Sequence, residues 1–208
     1  NAPDTYMEKI AIGPGFSPDI LDLDAPIADT LAKLAKEKDA AINDLNVCIL
    51  ERDRHQNLIA DVRKAGARIT LIGDGDVSAV IATAQEHTGI DLYVGSGGAP
   101  EGVLAAAALQ CIGGSMLGRL IFRNDMERAR AVKWGVKDFD KIYTTRDLAK
   151  GDNVMFAATG VTDGTMLRGV RRNVQEAKTS SLVMRSKSKT IRHIEATHNL
   201  KHKPLQVF

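Results

Sequence analysis

Three short segments carry the residue types that could do chemistry. The first is Gly95-Ser96-Gly97-Gly98-Ala99-Pro100-Glu101-Gly102, set between the apolar run Asp91-Leu92-Tyr93-Val94 and the alanine-rich stretch from Val103 to Ile112. A strand, a glycine turn and a helix start leave backbone N–H groups of the first helical turn unpaired, and such a turn attracts anions, phosphate above all. Glu101 lies inside the same turn. A carboxylate aimed at a phosphate repels it unless a cation stands between them, so the segment predicts a place where phosphate and a divalent metal meet. It is neither a dinucleotide fingerprint nor a Walker loop, since Pro100 breaks the glycine spacing and no Lys-Ser or Lys-Thr follows Gly102. A tight helix start with no ligand shares the pattern.

The second segment is Gly73-Asp74-Gly75-Asp76. Aspartates one residue apart can serve a metal or sugar hydroxyls; the competing reading is an Asx turn with Asp76 as the N-cap of a helix. In the third, Arg52 and Arg54 flank Asp53. Paired guanidinium groups suit bidentate phosphate contacts, against the alternative of a solvated charged loop. His55 is expected to start a helix rather than bind a ligand. Asp163-Gly164-Thr165 is expected to be a turn, because Gly160-Val161-Thr162 supplies no carboxylate partner. Ser180, Ser181, Cys48 and the remaining histidines show no spacing of a nucleophile and its base.

The surrounding pattern says how these segments are held. Tyr6 to Ile12 alternates as a strand does and ends at Gly13-Pro14-Gly15. Asp24-Ala25-Pro26 opens a helix with Ile27, Leu31 and Leu34 on one face, and a short helix is expected around Ala40 to Leu45. Strand Asn46–Leu50, helix His55–Ala65, strand Arg68–Ile72, helix Val77–Glu86 and strand Asp91–Val94 follow in regular alternation. Such alternation predicts an α/β fold with a mostly parallel sheet flanked by helices. Ligands in such sheets bind at the carboxyl ends of the strands, where all three segments fall. Beyond them the pattern predicts strands at Met116–Phe122, Lys141–Thr144 and Val154–Thr159 and a helix at Asp125–Trp134. Leu182 to His198 predicts one long or two short strands, so the C-terminal part is strand-rich. No repeat, low-complexity linker or domain break divides residues 1–208, which are taken as one domain.

Composition is that of an ordinary globular protein, with 208 residues, 44% of them hydrophobic and 26% charged. Aromatics make up only 4%, so Ile, Leu, Val and Ala must build the core. No apolar run approaches a membrane span and no signal peptide is recognisable, so a cytoplasmic protein with no membrane partner is expected. Cys48 and Cys111 are expected to be buried free thiols. The net charge of +2 hides an asymmetry: from Arg168 onward ten Lys and Arg face two acids, a balance of +8 that leaves −6 for residues 1–167. A basic tail can serve nucleic acid, a membrane or an acidic ligand, or form a solvated sheet face or subunit contact. No aromatic platform accompanies these charges, so no nucleic-acid partner is expected. The chain opens on Asn-Ala-Pro-Asp without Met, so Asn1 is not expected to be the start of translation.

Together, Tyr6 within Asn1-Ala2-Pro3-Asp4-Thr5-Tyr6-Met7-Glu8-Lys9, the Asp74-Gly75-Asp76 turn, Gly97-Gly98-Ala99-Pro100-Glu101-Gly102 and Ser188-Lys189-Thr190-Ile191-Arg192 resemble class II fructose-1,6-bisphosphatase. This is the bacterial metal-dependent type, some members of which also accept sedoheptulose 1,7-bisphosphate, and the likeness runs in order along the whole chain. It implies the layered α/β sandwich of the sugar-phosphatase superfamily. It also implies hydrolysis of the sugar's 1-phosphate by a metal-activated water with Mn2+ or Mg2+, as in gluconeogenesis. Glu101 then looks like a metal ligand. Tyr6, Arg52, Asp53, Arg54, Asp74, Gly75, Asp76 and Gly98 look like substrate contacts, with Arg52 and Arg54 on the distal phosphate and the Asp74–Asp76 turn on sugar hydroxyls. Asp53 stands where the family is expected to carry proline. The family places a portion ahead of Asn1 that supplies most metal ligands, so the resemblance implies that residues 1–208 are a C-terminal portion, inactive alone. A fold so divided is expected to self-associate as a homo-oligomer. A non-catalytic module that binds a phosphorylated metabolite is the alternative.

Overall fold

The computed structural model describes residues 3–202. The alternating apolar residues of Tyr6–Ile12 form strand β1. Helix α1 spans Ile27–Glu37 and follows Pro26, which occupies the position before the first helical turn; Asp24 does not cap it. The Asp24 carboxylate accepts from the Arg119 guanidinium instead, at 2.6 Å. The short helix expected around Ala40–Leu45 shrinks to a single 3-10 turn, Ile42–Asp44. Strand β2 (Asn46–Leu50), helix α2 (Gln56–Ala65), strand β3 (Arg68–Ile72) and helix α3 (Asp76–Ala82) then alternate as expected.

The glycine-rich segment departs from its expected form. Strand β4 runs through Leu92–Gly98 and helix α4 begins at once, at Ala99–Ile112, so no loop separates them. The glycines are strand residues, paired with β1 in the register Tyr6↔Gly98, Met7↔Gly97 and Lys9↔Gly95. Strand β5 (Ser115–Ile121), helix α5 (Asp125–Lys133), strand β6 (Ile142–Thr144), helix α6 (Thr145–Leu148), strand β7 (Met155–Thr159) and the short strand β8 (Arg171–Arg172) follow. Leu182–His198 resolves into parts of two hairpin strands, the end of β9 (Glu176–Arg185) and most of β10 (Thr190–Asn199).

The first sheet has the order β3-β2-β4-β1-β5-β6. Strands β2, β3 and β4 are parallel, β1 runs against β4 and β5, and β6 runs against β5, so four of the six strands point one way. The second sheet is antiparallel, β10-β9-β7 with β8 beside β9. Leu31, Leu34, Ile59 and Val62 of α1 and α2 cover one face of the first sheet, over Ile10, Ile12, Val47, Ile49 and Leu92. Helices α3 and α4 cover the other face with Ala79, Val80, Ala105 and Leu109, over Ala11, Cys48 and Tyr93. Helix α4 also turns Ala108 and Cys111 toward Phe156, Leu182 and Met184 of the second sheet. A helix held between two sheets is apolar all round rather than amphipathic, which explains the alanine run 105–108. The layers are therefore helices, sheet, helices, sheet. Both cysteines are buried and free, and burial pushes the Cys48 thiol up to about 11, away from nucleophilic use. Among the described residues, no helix is long and apolar enough to cross a membrane.

Candidate phosphosugar site

Sheet direction gathers the site. Parallel β2, β3 and β4 all end on one edge of the sheet. They deliver Arg52 and Arg54, the Asp74–Asp76 turn, and Glu101 there. Reversed β1 starts on that edge with Tyr6, and β5 ends on it, two residues before Arg123. The result is a cavity of about 490 Å³ lined by Asp4, Thr5, Tyr6, Arg52, Arg54, Asp74, Asp76, Gly98, Glu101 and Arg123, among others. That size suits a small metabolite.

Most of the expected contacts thus converge. Gly75 lies beside them in a neighbouring cavity that shares Asp74, Asp76 and Glu101. Asp53 does not converge. It opens a 3-10 turn and lines a neighbouring cleft with Arg52, Gln56 and Arg63, because the turn points successive side chains in different directions.

Arg54 is built in from behind. Its Nε donates to Ser96 Oγ at 2.9 Å and its Nη2 to the Ser96 carbonyl at 2.7 Å. Ser96 is in turn held by His55, which is only 4% exposed. The Ser96 N–H donates to His55 Nε2 at 2.9 Å, and His55 Nδ1 lies 2.7 Å from the Leu50 carbonyl. An Nε2 that accepts and an Nδ1 that donates make a neutral ring, and burial lowers the His55 pKa in the same direction. His55 is therefore a post between β2 and β4.

The Asp74-Gly75-Asp76 turn takes the other of its two readings only in part. The Gly75 N–H donates to Asp74 Oδ1 at 2.8 Å, but Gly75 itself, at φ 88°, precedes the helix. Asp76 is the first helical residue and its carboxylate forms an ion pair with Lys9. Lys9 is 1% exposed and donates also to the Gly98 carbonyl at 3.3 Å. Lys9 gave no sequence signal, because an alternating strand face with one lysine looks like a solvated face.

Gly97 leaves room for the buried ion pair, and Gly98 for the Glu101 carboxylate. A Cβ on Gly97 would lie 2.4 Å from Asp76 Oδ2 and 3.1 Å from Lys9 Nζ. One on Gly98 would lie 1.8 Å from Glu101 Oε2, because the Glu101 carboxylate folds back over the strand end. The helix start offers fewer donors than the pattern predicted: the Ala99 N–H already donates to the Thr5 carbonyl at 2.8 Å, and Pro100 has none. Glu101 itself sits favourably in the first turn of α4.

Arg123 and its partner Glu127 were not visible in the sequence as site residues. Arg123 Nε donates to Glu127 Oε1 at 2.8 Å, and the Arg123 N–H and Thr5 Oγ1 both donate to Glu127 Oε2, at 2.9 and 3.0 Å. The Arg123 guanidinium, then its N–H, hold the Glu127 carboxyl at about 2, below an ordinary 4.5. A carboxyl depressed in the folded state stabilises fully above its ordinary pKa and loses that contribution as pH falls through its folded value. Glu127→Gln is therefore expected to be less stable than the parent near neutral pH. The gap should close between about pH 4.5 and about pH 2, as followed by urea denaturation across that range. A gap that stays constant down to the acid end of the range would contradict this account.

Among the described residues, no three His, Cys, Asp or Glu side chains lie where they could hold a metal ion together. Glu101 can give one carboxylate, while Asp76 is already engaged by Lys9. The cavity wall therefore carries the guanidinium groups of Arg52, Arg54 and Arg123 beside the carboxyls of Asp4, Asp74, Asp76 and Glu101.

A family model described as bacterial fructose-1,6-bisphosphatase, glpX-encoded, matches residues 1–198. Over 210 residues the chain is 41% identical to the D-fructose 1,6-bisphosphatase class 2/sedoheptulose 1,7-bisphosphatase of Synechococcus sp. (strain JA-3-3Ab), covering 95% of this chain and 60% of that protein. Over 216 residues it is 40% identical to fructose-1,6-bisphosphatase 1 class 2 of Escherichia coli (strain K12), covering 98% of this chain and 64% of that one. The chain spans about six-tenths of the length of these curated relatives. It belongs to the class 2, glpX-type family of bacterial fructose-1,6-bisphosphatases.

Proposed function

We propose, from that membership, that this chain is the phosphosugar-holding part of an enzyme that removes the 1-phosphate of fructose 1,6-bisphosphate, yielding fructose 6-phosphate and phosphate. The observation that carries the reading is the single cavity that joins Tyr6, Arg52, Arg54, Asp74, Asp76, Gly98 and Glu101. In it, Arg52 and Arg54 hold the phosphate that is not cleaved, by charge-assisted hydrogen bonds. Asp74 accepts from sugar hydroxyls, and Asp76, with one oxygen on Lys9, keeps the other for the same task. The sugar is thereby oriented with its second phosphate toward Glu101.

Glu101 is proposed as one ligand of a Mn2+ or Mg2+ ion whose other ligands come from outside residues 3–202, because no metal-holding group of three assembles among the described residues. Sedoheptulose 1,7-bisphosphate is a second substrate candidate, named for the Synechococcus relative. The same reading makes the protein a cytoplasmic enzyme of gluconeogenesis with no nucleic-acid or membrane partner. A homo-oligomer is supported by β10, a ten-residue edge strand on which Ile191 and Ile194 are 44% and 43% exposed.

The test uses the 208-residue chain. It is expected to bind fructose 6-phosphate in calorimetry, yet release no phosphate from fructose 1,6-bisphosphate with Mn2+. Joined behind the amino-terminal portion of the Escherichia coli relative, it is expected to release phosphate. Failure of both binding and release would remove the reading. Binding without release by the joined protein would favour a non-catalytic phosphometabolite module. Turnover by the chain alone would overturn the proposed division of metal ligands.

A further inference from the structure

We propose that Arg123 is a third phosphate-binding arginine of this cavity, a role that rests on the phosphosugar reading above. The register Tyr6↔Ile121 between β1 and β5 brings the end of β5 beside the start of β1. Arg123 there lines the same cavity as Arg52 and Arg54. Its guanidinium carbon lies 4.9 Å from the centroid of the Tyr6 ring, and that of Arg54 lies 5.1 Å from the same ring. Two cations gathered on one ring at a cavity wall repel each other, and an anion bound in that cavity relieves the repulsion.

The side chain is also prepared for such a task. It is 59% exposed, yet its Nε and Nη2 edge is held by Glu127, whose side chain is 2% exposed. That edge satisfies the buried carboxylate and leaves Nη1 to donate to a ligand. Fixing a long side chain before the ligand arrives removes an ordering cost that binding would otherwise carry. An arginine kept only to neutralise Glu127 has no need to stand over Tyr6 on the cavity wall. Lysine would keep the charge but not the fork that grips Glu127 with one edge and a phosphate with the other.

The experiment is calorimetric titration of the full chain with fructose 6-phosphate, for the parent, Arg54→Gln, Arg123→Gln and Arg123→Lys. Arg123→Gln is expected to weaken binding about tenfold or more, and Arg123→Lys to weaken it severalfold. Circular dichroism is expected to keep its native form, while the melting temperature of Arg123→Gln falls because the Glu127 carboxylate loses its counter-charge. If Arg123→Gln does not fold, Arg123→Lys carries the test alone. Parent-like affinity in the Arg123 variants together with weakened binding in Arg54→Gln overturns the proposal and leaves the phosphosugar reading intact. Absence of binding by the parent overturns both.

Discussion

Asp76→Asn is expected to cost the folded chain about 3–5 kcal/mol, because it leaves the Lys9 ammonium buried without its counter-charge. Lys9 is 1% exposed, and its remaining acceptor is the Gly98 carbonyl at 3.3 Å. A neutral amide in place of Asp76 can still accept a hydrogen bond but cannot offset the desolvation of a cation. The loss corresponds to a fall in melting temperature on the order of 10 °C for a chain of this size. Lys9→Met together with Asp76→Asn is expected to recover most of it, since methionine fills a similar volume without the charge. Urea denaturation of parent, single and double variants measures the coupling. A single variant within about 0.5 kcal/mol of the parent would show that the pair contributes nothing. The pair also ties β1 to the start of α3, so the same variant should loosen the turn that is proposed to hold the sugar.

Gly98→Ala is expected to reduce phosphate release by the joined, catalytically complete protein about a hundredfold, the scale associated with a misplacement of roughly 1 Å at a reacting centre. The new methyl carbon would sit 1.8 Å from Glu101 Oε2, so the carboxylate must swing away from the strand end. Backbone strain is not the cause, since Gly98 has φ −58°, which any residue adopts. Stability should change little, because Glu101 is exposed and free to move. The decisive readout is the split between affinity and turnover. Fructose 6-phosphate should bind Gly98→Ala within a few-fold of the parent while phosphate release collapses. Unchanged release would separate Glu101 from the reaction. Glu101→Gln offers the companion measurement, because it removes the charge without moving the side chain.

The fold was legible where one periodicity ruled. Tyr6–Ile12 and Asn46–Leu50 appear at the expected residues because each strand alternates or runs apolar between clear stops. Boundaries failed where a residue type had two uses. The glycines of 95–98 suggested a loop, yet they lie in β4 because neighbouring side chains fill the space their Cβ atoms would take. Asp76 looked like a helix cap, but a buried lysine claims its carboxylate. Asp53, adjacent in sequence to two site arginines, lines a neighbouring cleft that only Arg52 of the two shares, because a 3-10 turn points successive side chains in different directions.

By itself the sequence determined the α/β alternation, the carboxyl-end placement of Arg52, Arg54, Asp74 and Glu101, and the family. These depend on local periodicity and on short motifs, which survive without knowledge of what lies alongside. Only the tertiary structure decided that β1 stands between β4 and β5, which brings Tyr6 and Arg123 to the cavity that Arg54 lines. Only it showed Lys9 buried against Asp76, and Glu127 buried beneath Arg123. The physical reason is sequence separation. An ion pair across 67 residues, or a threonine bonded to a glutamate across 122, leaves no mark on the periodicity of either segment and exists only once the strands have chosen their neighbours.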